Sequence, residues 1–165
     1  LGLRDNTIVV FMSDNGVANG SSVQTDKAGF TVKGFNAGMR GTKSSVYEGG
    51  HRVPFAIRYP AGQLWGGRTD AGLTTCMDLM PSLLALCRIA TPTLQFDGAD
   101  LLAQWQGRQP PPSRTIVLDT QRERFLQKNR NYVVMTPEWR LVNGELYAIL
   151  TDPEQRHNLA DLNQP

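Results

Sequence analysis

The chain has 165 residues, 40% of them hydrophobic and 19% charged, which describes one soluble globular domain or a large piece of one and excludes disordered and collagen-like architectures. Seventeen Lys and Arg against fifteen Asp and Glu leave a net charge of +2, too small an excess to neutralise many phosphates, so nucleic acid is a poor partner. No apolar run approaches the roughly 20 residues needed to span a bilayer, and Cys76 and Cys87 lie outside any C-x-x-C pair, so no membrane span, zinc site or disulfide framework is expected.

The chain opens on Leu1-Gly2-Leu3 with no leader pattern, and it reads as a segment excised from something longer. Ile8 to Met12 is a continuous apolar run rather than an alternating one, the pattern of a strand buried on both faces of a mostly parallel sheet. Such a strand needs parallel neighbours that few other runs here could supply, so part of the domain is expected upstream. Ser13-Asp14-Asn15-Gly16 then makes a turn at the C-terminal end of that strand, the edge at which ligand sites of open α/β sheets lie. Residues 17–45 are rich in Gly, Ser, Thr, Asn and Lys and predict a long ordered loop. Val53 to Tyr59 predicts a short strand, with Pro54 near its start and a turn at Pro60-Ala61-Gly62.

From Asp78 the period changes. Leu79, Leu83 and Leu86, with Met80, Leu84 and Cys87 beside them, mark an amphipathic helix capped by Asp78, with Pro81 in its first turn and Cys87 as a reduced core residue. Asp97-Gly98 predicts a turn before a helical stretch from Ala99 to Trp105, and Pro110-Pro111-Pro112 a stiff connector. Thr115 to Leu118, Tyr132 to Met135, Arg140 to Val142 and Glu145 to Ala148 read as strands, the last two joined by Asn143-Gly144, a strong hairpin signal. A small antiparallel sheet with at least one helix packed against it follows.

Several common mechanisms have no residues to run on. There is no G-x-S-x-G elbow, the two histidines are His51 and His157, and Gly41-Thr42-Lys43-Ser44 puts Thr where a P-loop needs Gly before Lys. Two features remain. Asp14 and Asn15 offer adjacent side-chain oxygens of the kind that suit Ca²⁺ or Mg²⁺, and Lys43 is a compact positive charge able to hold the oxygens of a tetrahedral anion. As residue types alone, Asp-Asn-Gly after a strand is most often an ordinary turn.

The segment Asp5 to Gly16, ending Ser13-Asp14-Asn15-Gly16, resembles the strand and turn of the sulfatase family, and Arg40-Gly41-Thr42-Lys43 through Glu48-Gly49-Gly50-His51-Arg52-Val53-Pro54 resembles its R-G-x-K…E-G-G-x-R-V-P segment. The likeness continues in Asp78-Leu79-Met80-Pro81-Ser82, in Phe96-Asp97-Gly98-Ala99-Asp100-Leu101, and in Glu145-Leu146-Tyr147 with Asp152-Pro153-Glu154 and Asn158-Leu159. The resemblance implies the α/β fold of the alkaline-phosphatase-like superfamily and hydrolysis of sulfate esters with a divalent cation, usually Ca²⁺. It also implies Asp14 and Asn15 as metal ligands and Lys43 as a catalytic, sulfate-contacting cation. His51, beside Gly49-Gly50 and not at one of the family's fixed catalytic positions, is expected either to contact substrate at the mouth of the site or, equally, to support the loop by a hydrogen bond. The family's nucleophile is a formylglycine made from Cys or Ser in C/S-x-P-x-R. Neither Cys76 nor Cys87 is followed by that pattern, so the chain resembles the C-terminal part of a sulfatase, with the nucleophile expected upstream.

On this reading residues 1 to 70 complete the catalytic α/β domain and residues 71 to 165 form a helix plus a small antiparallel sheet. The expected partners are a sulfate-ester small molecule or sulfated carbohydrate and the missing N-terminal part of the same domain, in a periplasmic or secreted protein. A phosphomonoester or phosphonate hydrolase of the same superfamily, or a truncated non-catalytic binding module, is the alternative. Arg40 and Arg52 are expected to support the loop scaffold, Gly41, Gly49 and Gly50 to serve positive φ or close packing, and the run Arg122, Arg124, Lys128 and Arg130 to be a solvated loop.

Overall fold

The computed structural model describes residues 2–121, 123–125 and 127–160. In chain order the elements are strands β1 (Val9–Met12), β2 (Gln24–Thr25) and β3 (Thr31–Lys33), helix α1 (Glu48–His51), strand β4 (Phe55–Arg58), helices α2 (Leu79–Leu86) and α3 (Leu102–Trp105), and strands β5 (Ile116–Asp119), β6 (Tyr132–Met135), β7 (Trp139–Val142) and β8 (Glu145–Ala148). They fall into two compact units that do not follow chain order. One comprises Leu1–Phe11 and Phe55–Ser113, the other Met12–Pro54 and Arg114–Pro165. Each unit is assembled from two segments separated in the chain.

In the first unit β1 pairs with β4 in a two-stranded sheet. The apolar run forms the strand it predicts, but Val9, Val10, Phe11 and Met12 are all exposed, Phe11 at 66%. Two strands cannot cover both faces of either one, and this is why the burial expected of the run is not realised within these residues. Helix α2 forms where the leucine spacing puts it, although its start differs from expectation. Asp78 does not cap α2 with its side chain; it closes a capping box on Thr75, accepting from the Thr75 N–H at 2.7 Å, one turn earlier in a 3₁₀ segment at Cys76–Asp78. Its other oxygen accepts the Ala99 N–H at 2.9 Å, and Ser82 Oγ accepts the Leu101 N–H at 2.8 Å. Both side chains are fully buried. The polar residues of Asp78-Leu79-Met80-Pro81-Ser82 therefore lock Ala99 to Leu101 onto the helix. Cys87 is exposed rather than a core residue, because α2 ends at Leu86 and Cys87 lies past its last turn.

The second unit holds a four-stranded antiparallel sheet in the order β5-β6-β7-β8. Register pairs Ile116 with Met135, Val133 with Val142 and Arg140 with Tyr147, so Val133, Met135, Arg140, Val142 and Tyr147 share one face, and all five are buried. Asn143 and Gly144 join β7 to β8 with φ of 51° and 92°, the left-handed pair that a tight two-residue hairpin requires. Within residues 17–45, expected to be loop alone, β2 and β3 form a small antiparallel pair. It turns on Asp26, whose carboxylate accepts the Phe30 N–H at 2.9 Å, and on Gly29 at φ 92°. Of the basic run, Arg130 is paired with Glu123 at 2.9 Å and the Arg124 guanidinium lies 5.5 Å from the Phe125 ring centre; Arg122 is outside the described residues.

Candidate functional site

Three segments of the second unit meet backbone to backbone. The Gly16 N–H donates to the Gly50 carbonyl at 3.0 Å, the Gly49 N–H to the Arg40 carbonyl at 2.8 Å, and the Lys43 N–H to the Val17 carbonyl at 2.8 Å. A Cβ on Gly16 would overlap the Gly49 carbonyl, one on Gly49 the Gly41 carbonyl, and one on Gly50 the Ser45 carbonyl. Gly41 itself has φ +88°. Gly16, Gly49 and Gly50 thus serve close backbone approach and Gly41 a left-handed backbone, as expected for Gly41, Gly49 and Gly50.

This packing fixes the turn after β1. Ser13 Oγ donates to the Asn15 carbonyl at 2.9 Å, and Asn15 Nδ2 donates to Asp14 Oδ1 at 3.0 Å and to the Gly16 carbonyl at 3.2 Å. The Asp14 and Asn15 side chains therefore emerge together, Asp14 exposed and Asn15 half-buried. Because the amide spends its nitrogen within the turn, no hydrogen bond among the described residues occupies Asn15 Oδ1 or Asp14 Oδ2. Two adjacent uncommitted oxygens with no sulfur or imidazole beside them fit a hard divalent cation as a partial ligand set. Among the described residues no three His, Cys, Asp or Glu side chains cluster, so these residues offer a pair of donors rather than a cage.

Lys43 has an exposed side chain on a backbone tied to Val17, two residues past Asn15. His51 lies at the other end of the segment. Its Nε2 is 3.2 Å from the Val46 carbonyl and 4.0 Å from Glu48 Oε1, and burial pushes its pKa below 6.5 more strongly than the Glu48 charge raises it. Glu48 is 1% exposed and is held by Arg140 at 2.7 Å and Arg52 at 3.1 Å, while its N–H donates to Gln155 Oε1 at 2.7 Å. Arg40 is scaffold too: it donates to the Ala28 carbonyl, to Glu145 at 3.1 Å and to Tyr147 at 2.8 Å, and it stacks 3.9 Å from the Tyr47 ring centre. Burial and the Glu145 hydrogen bond push Tyr47 up to about 12.

Two residues beside the site escaped the sequence reading. Asn36, 8% exposed, donates to the Met39 and Gly41 carbonyls at 3.0 and 2.6 Å and so shapes the loop leading to Lys43. Phe35, next to it, is 82% exposed. An exposed aromatic inside a Gly- and Asn-rich loop beside the Arg-Gly-x-Lys segment was the signal available. Phe35, Met39, Arg52, Val53 and Pro54 line a cavity of about 450 Å³ that begins at Asn15.

The Sulfatase family model matches residues 1–89, more than half of the chain. An N-acetylgalactosamine-6-O-sulfatase of Bacteroides thetaiotaomicron is 29% identical over 188 residues, covering 97% of this chain and 34% of that protein. The steryl-sulfatase of Mus musculus is 35% identical over 108 residues, covering 65% of this chain and 17% of that protein. Among solved structures, the crystal structure of Ps i-CgsB superposes with a TM-score of 0.74 at 23% identity over 96% of this chain and 33% of its own, a likeness of fold. The chain spans between about a sixth and a third of the length of the relatives it matches.

Proposed function

The chain belongs to the sulfatase family, and from its site we propose that it is the part of a sulfate-ester hydrolase that supplies Asp14 and Asn15 to a Ca²⁺ ion, with Mg²⁺ as the second choice, and Lys43 to the sulfate. The observation that carries this reading is the shared turn of Asp14 and Asn15, in which one hydrogen bond aligns the two side chains and leaves an oxygen of each uncommitted. When bound, the cation supplies positive charge to the sulfate oxygens. Lys43 adds a second, fixed positive charge for the charge that builds on those oxygens as the S–O bond to the alcohol breaks. Gly16, Gly49 and Gly50 hold the two contributions in register through the backbone contacts above. His51, with Nε2 on the Val46 carbonyl, keeps the 46–51 segment in place at the mouth of the site.

The nucleophile, a formylglycine in this proposal, comes from residues outside this chain, so the chain alone turns over no sulfate ester. The whole protein acts on a sulfate-ester small molecule or a sulfated carbohydrate and works in the periplasm or outside the cell. No helix among the described residues is long and apolar enough to cross a membrane.

The test is a paired assay of the whole protein on a chromogenic aryl sulfate and the matching aryl phosphate, before and after removal of Ca²⁺ with a chelator. Sulfate turnover that falls on chelation and returns with Ca²⁺ supports the reading. Preference for the phosphate ester replaces it with the phosphohydrolase alternative, and turnover of neither leaves a binding module. Steady turnover by residues 1–165 alone overturns the assignment of the nucleophile.

A further inference from the structure

A single carboxylate oxygen on β8 gathers the two ends of the loop that carries Lys43. Glu145 Oε2 accepts from the Arg40 guanidinium at 3.1 Å, from the Tyr47 hydroxyl at 2.5 Å and from the Tyr147 hydroxyl at 2.7 Å. Arg40 stands three residues before Lys43 and Tyr47 four residues after it. The same Arg40 nitrogen also donates to the Tyr147 hydroxyl at 2.8 Å, and the guanidinium lies 3.9 Å from the Tyr47 ring centre. The two ends of the loop therefore touch each other and share one acceptor, through charge-assisted hydrogen bonds and a cation–π contact.

The loop between them needs holding. Gly41 has φ +88°, and Ser44, directly after Lys43, has φ +73°, a conformation that is costly for a residue with a Cβ and persists where the surroundings impose it. The loop's own hydrogen bonds, from the Ser45 N–H to the Thr42 carbonyl and from the Tyr47 N–H to Ser45 Oγ, close turns within it. The links from Arg40 and Tyr47 to the four-stranded sheet run through Glu145 and Tyr147. With the Glu145 side chain 32% exposed, its ion pair with Arg40 adds little to stability. Placement is another matter, because a displacement of about 1 Å in a reacting constellation can cost on the order of a hundredfold in rate.

We propose that Glu145 is a positioning residue for Lys43: by clasping Arg40 and Tyr47 to β8 it holds the loop so that the ammonium group meets the sulfate in register with Asp14 and Asn15. The proposal rests on the sulfatase reading for the role of Lys43.

The experiment is a double-mutant cycle in the whole protein with Ca²⁺ present, combining Glu145→Ala with Lys43→Ala, on 4-methylumbelliferyl sulfate or N-acetylgalactosamine 6-sulfate, whichever is turned over. Expected is a kcat/KM lowered about tenfold in Glu145→Ala, mostly through kcat, and a double variant within about twofold of Lys43→Ala alone. Glu145→Gln, which keeps an acceptor oxygen for the three donors, restores most of the loss. Losses that multiply in the double variant overturn the proposal, as does an unchanged kcat/KM in Glu145→Ala, even with a lowered urea midpoint. If Glu145→Ala does not fold, Tyr47→Phe replaces it in the cycle, with a loss of about threefold expected from one missing donor and the same criterion applied. A wild type inactive on both esters, or an unchanged rate in Lys43→Ala, fails the sulfatase reading rather than the clasp. The clasp is then judged by amide hydrogen exchange, where exchange over residues 41–47 at least about tenfold faster in the variant, with residues 132–142 at the wild-type rate, upholds it. Exchange unchanged over residues 41–47, or raised equally in both segments, overturns it.

Discussion

Two carboxylates in the same unit are treated in opposite ways. Glu48 is 1% exposed, paired with Arg140 and Arg52, and its backbone is tied down by Gln155. Asp14 is exposed, and its side chain accepts a hydrogen bond from the amide of the neighbouring Asn15. Burying a charge is tolerable when its partners are built in, so Glu48 is finished as part of the scaffold. Asp14 keeps one carboxylate oxygen without a partner among the described residues, which is what the proposed role as a cation ligand requires. The two acids are alike in residue type and differ in their hydrogen bonds, and the proposed division of roles between them rests on that difference.

The largest effect expected from this contrast is on the scaffold side. Glu48→Ala in the whole protein leaves Arg140 buried without its counter-charge and costs about 3–5 kcal/mol, read as a lowered urea midpoint. Asp14→Ala in metal-free protein shifts that midpoint by no more than about 0.5 kcal/mol, as at other exposed positions, while Ca²⁺-dependent turnover is lost. A midpoint shift as large as that of Glu48→Ala would erase the distinction between the two acids.

On the proposed reading, Lys43→Ala in the whole protein removes an electrostatic donor to a developing anion and is expected to raise the barrier by about 3 kcal/mol, roughly a hundredfold in kcat/KM. The fold should be unaffected, because the Lys43 contact to Val17 runs through its backbone N–H. Equal losses of activity and stability in Lys43→Ala would move it to the scaffold class.

A smaller effect tests a feature legible in the sequence. Asn143-Gly144 forms the hairpin that its dipeptide predicts, and Gly144→Ala, at φ 92°, costs about 1–2 kcal/mol in the urea midpoint. The strands Tyr132–Met135 and Glu145–Ala148 and the helix near Leu79–Leu86 were also readable, because period and turn chemistry are local. The adjacency of Asp14 and Asn15 at a strand end was readable for the same reason. What the sequence concealed depends on distant partners. The exposure of Val9 to Met12 follows from how many strands flank β1, which no pattern within the run encodes. The Arg40–Glu145–Tyr147 cluster joins residues more than a hundred positions apart and exists only once β8 is in register. The β2–β3 pair was missed because its strands are two and three residues long, too short for a period to show.

The smallest effect is a pH dependence centred on His51, the residue that stands between the two classes. Burial lowers its folded pKa below the ordinary 6.5, with the Glu48 charge opposing and the Arg140 and Arg52 charges assisting. Between the folded pKa and 6.5 the unfolded chain binds the extra proton and the folded chain does not, so stability rises with pH across that window. The histidine's contribution is therefore complete above 6.5 and is lost as pH falls towards the folded value. Glu145 also has a lowered pKa, since hydrogen bonds from Tyr47 and Tyr147 and the Arg40 charge outweigh its desolvation, and its contribution is lost only below the ordinary carboxylate range. Between pH 7.5 and 5.5 the Glu145 carboxyl stays above its titration range in both states, so a urea midpoint followed across that interval separates the histidine from it. His51→Gln, which keeps a polar group near the Val46 carbonyl, flattens that segment of the profile if the ring is scaffold. A profile that keeps its slope in His51→Gln, with KM for the sulfate ester raised instead, would assign His51 to the substrate and put it in the company of Asp14.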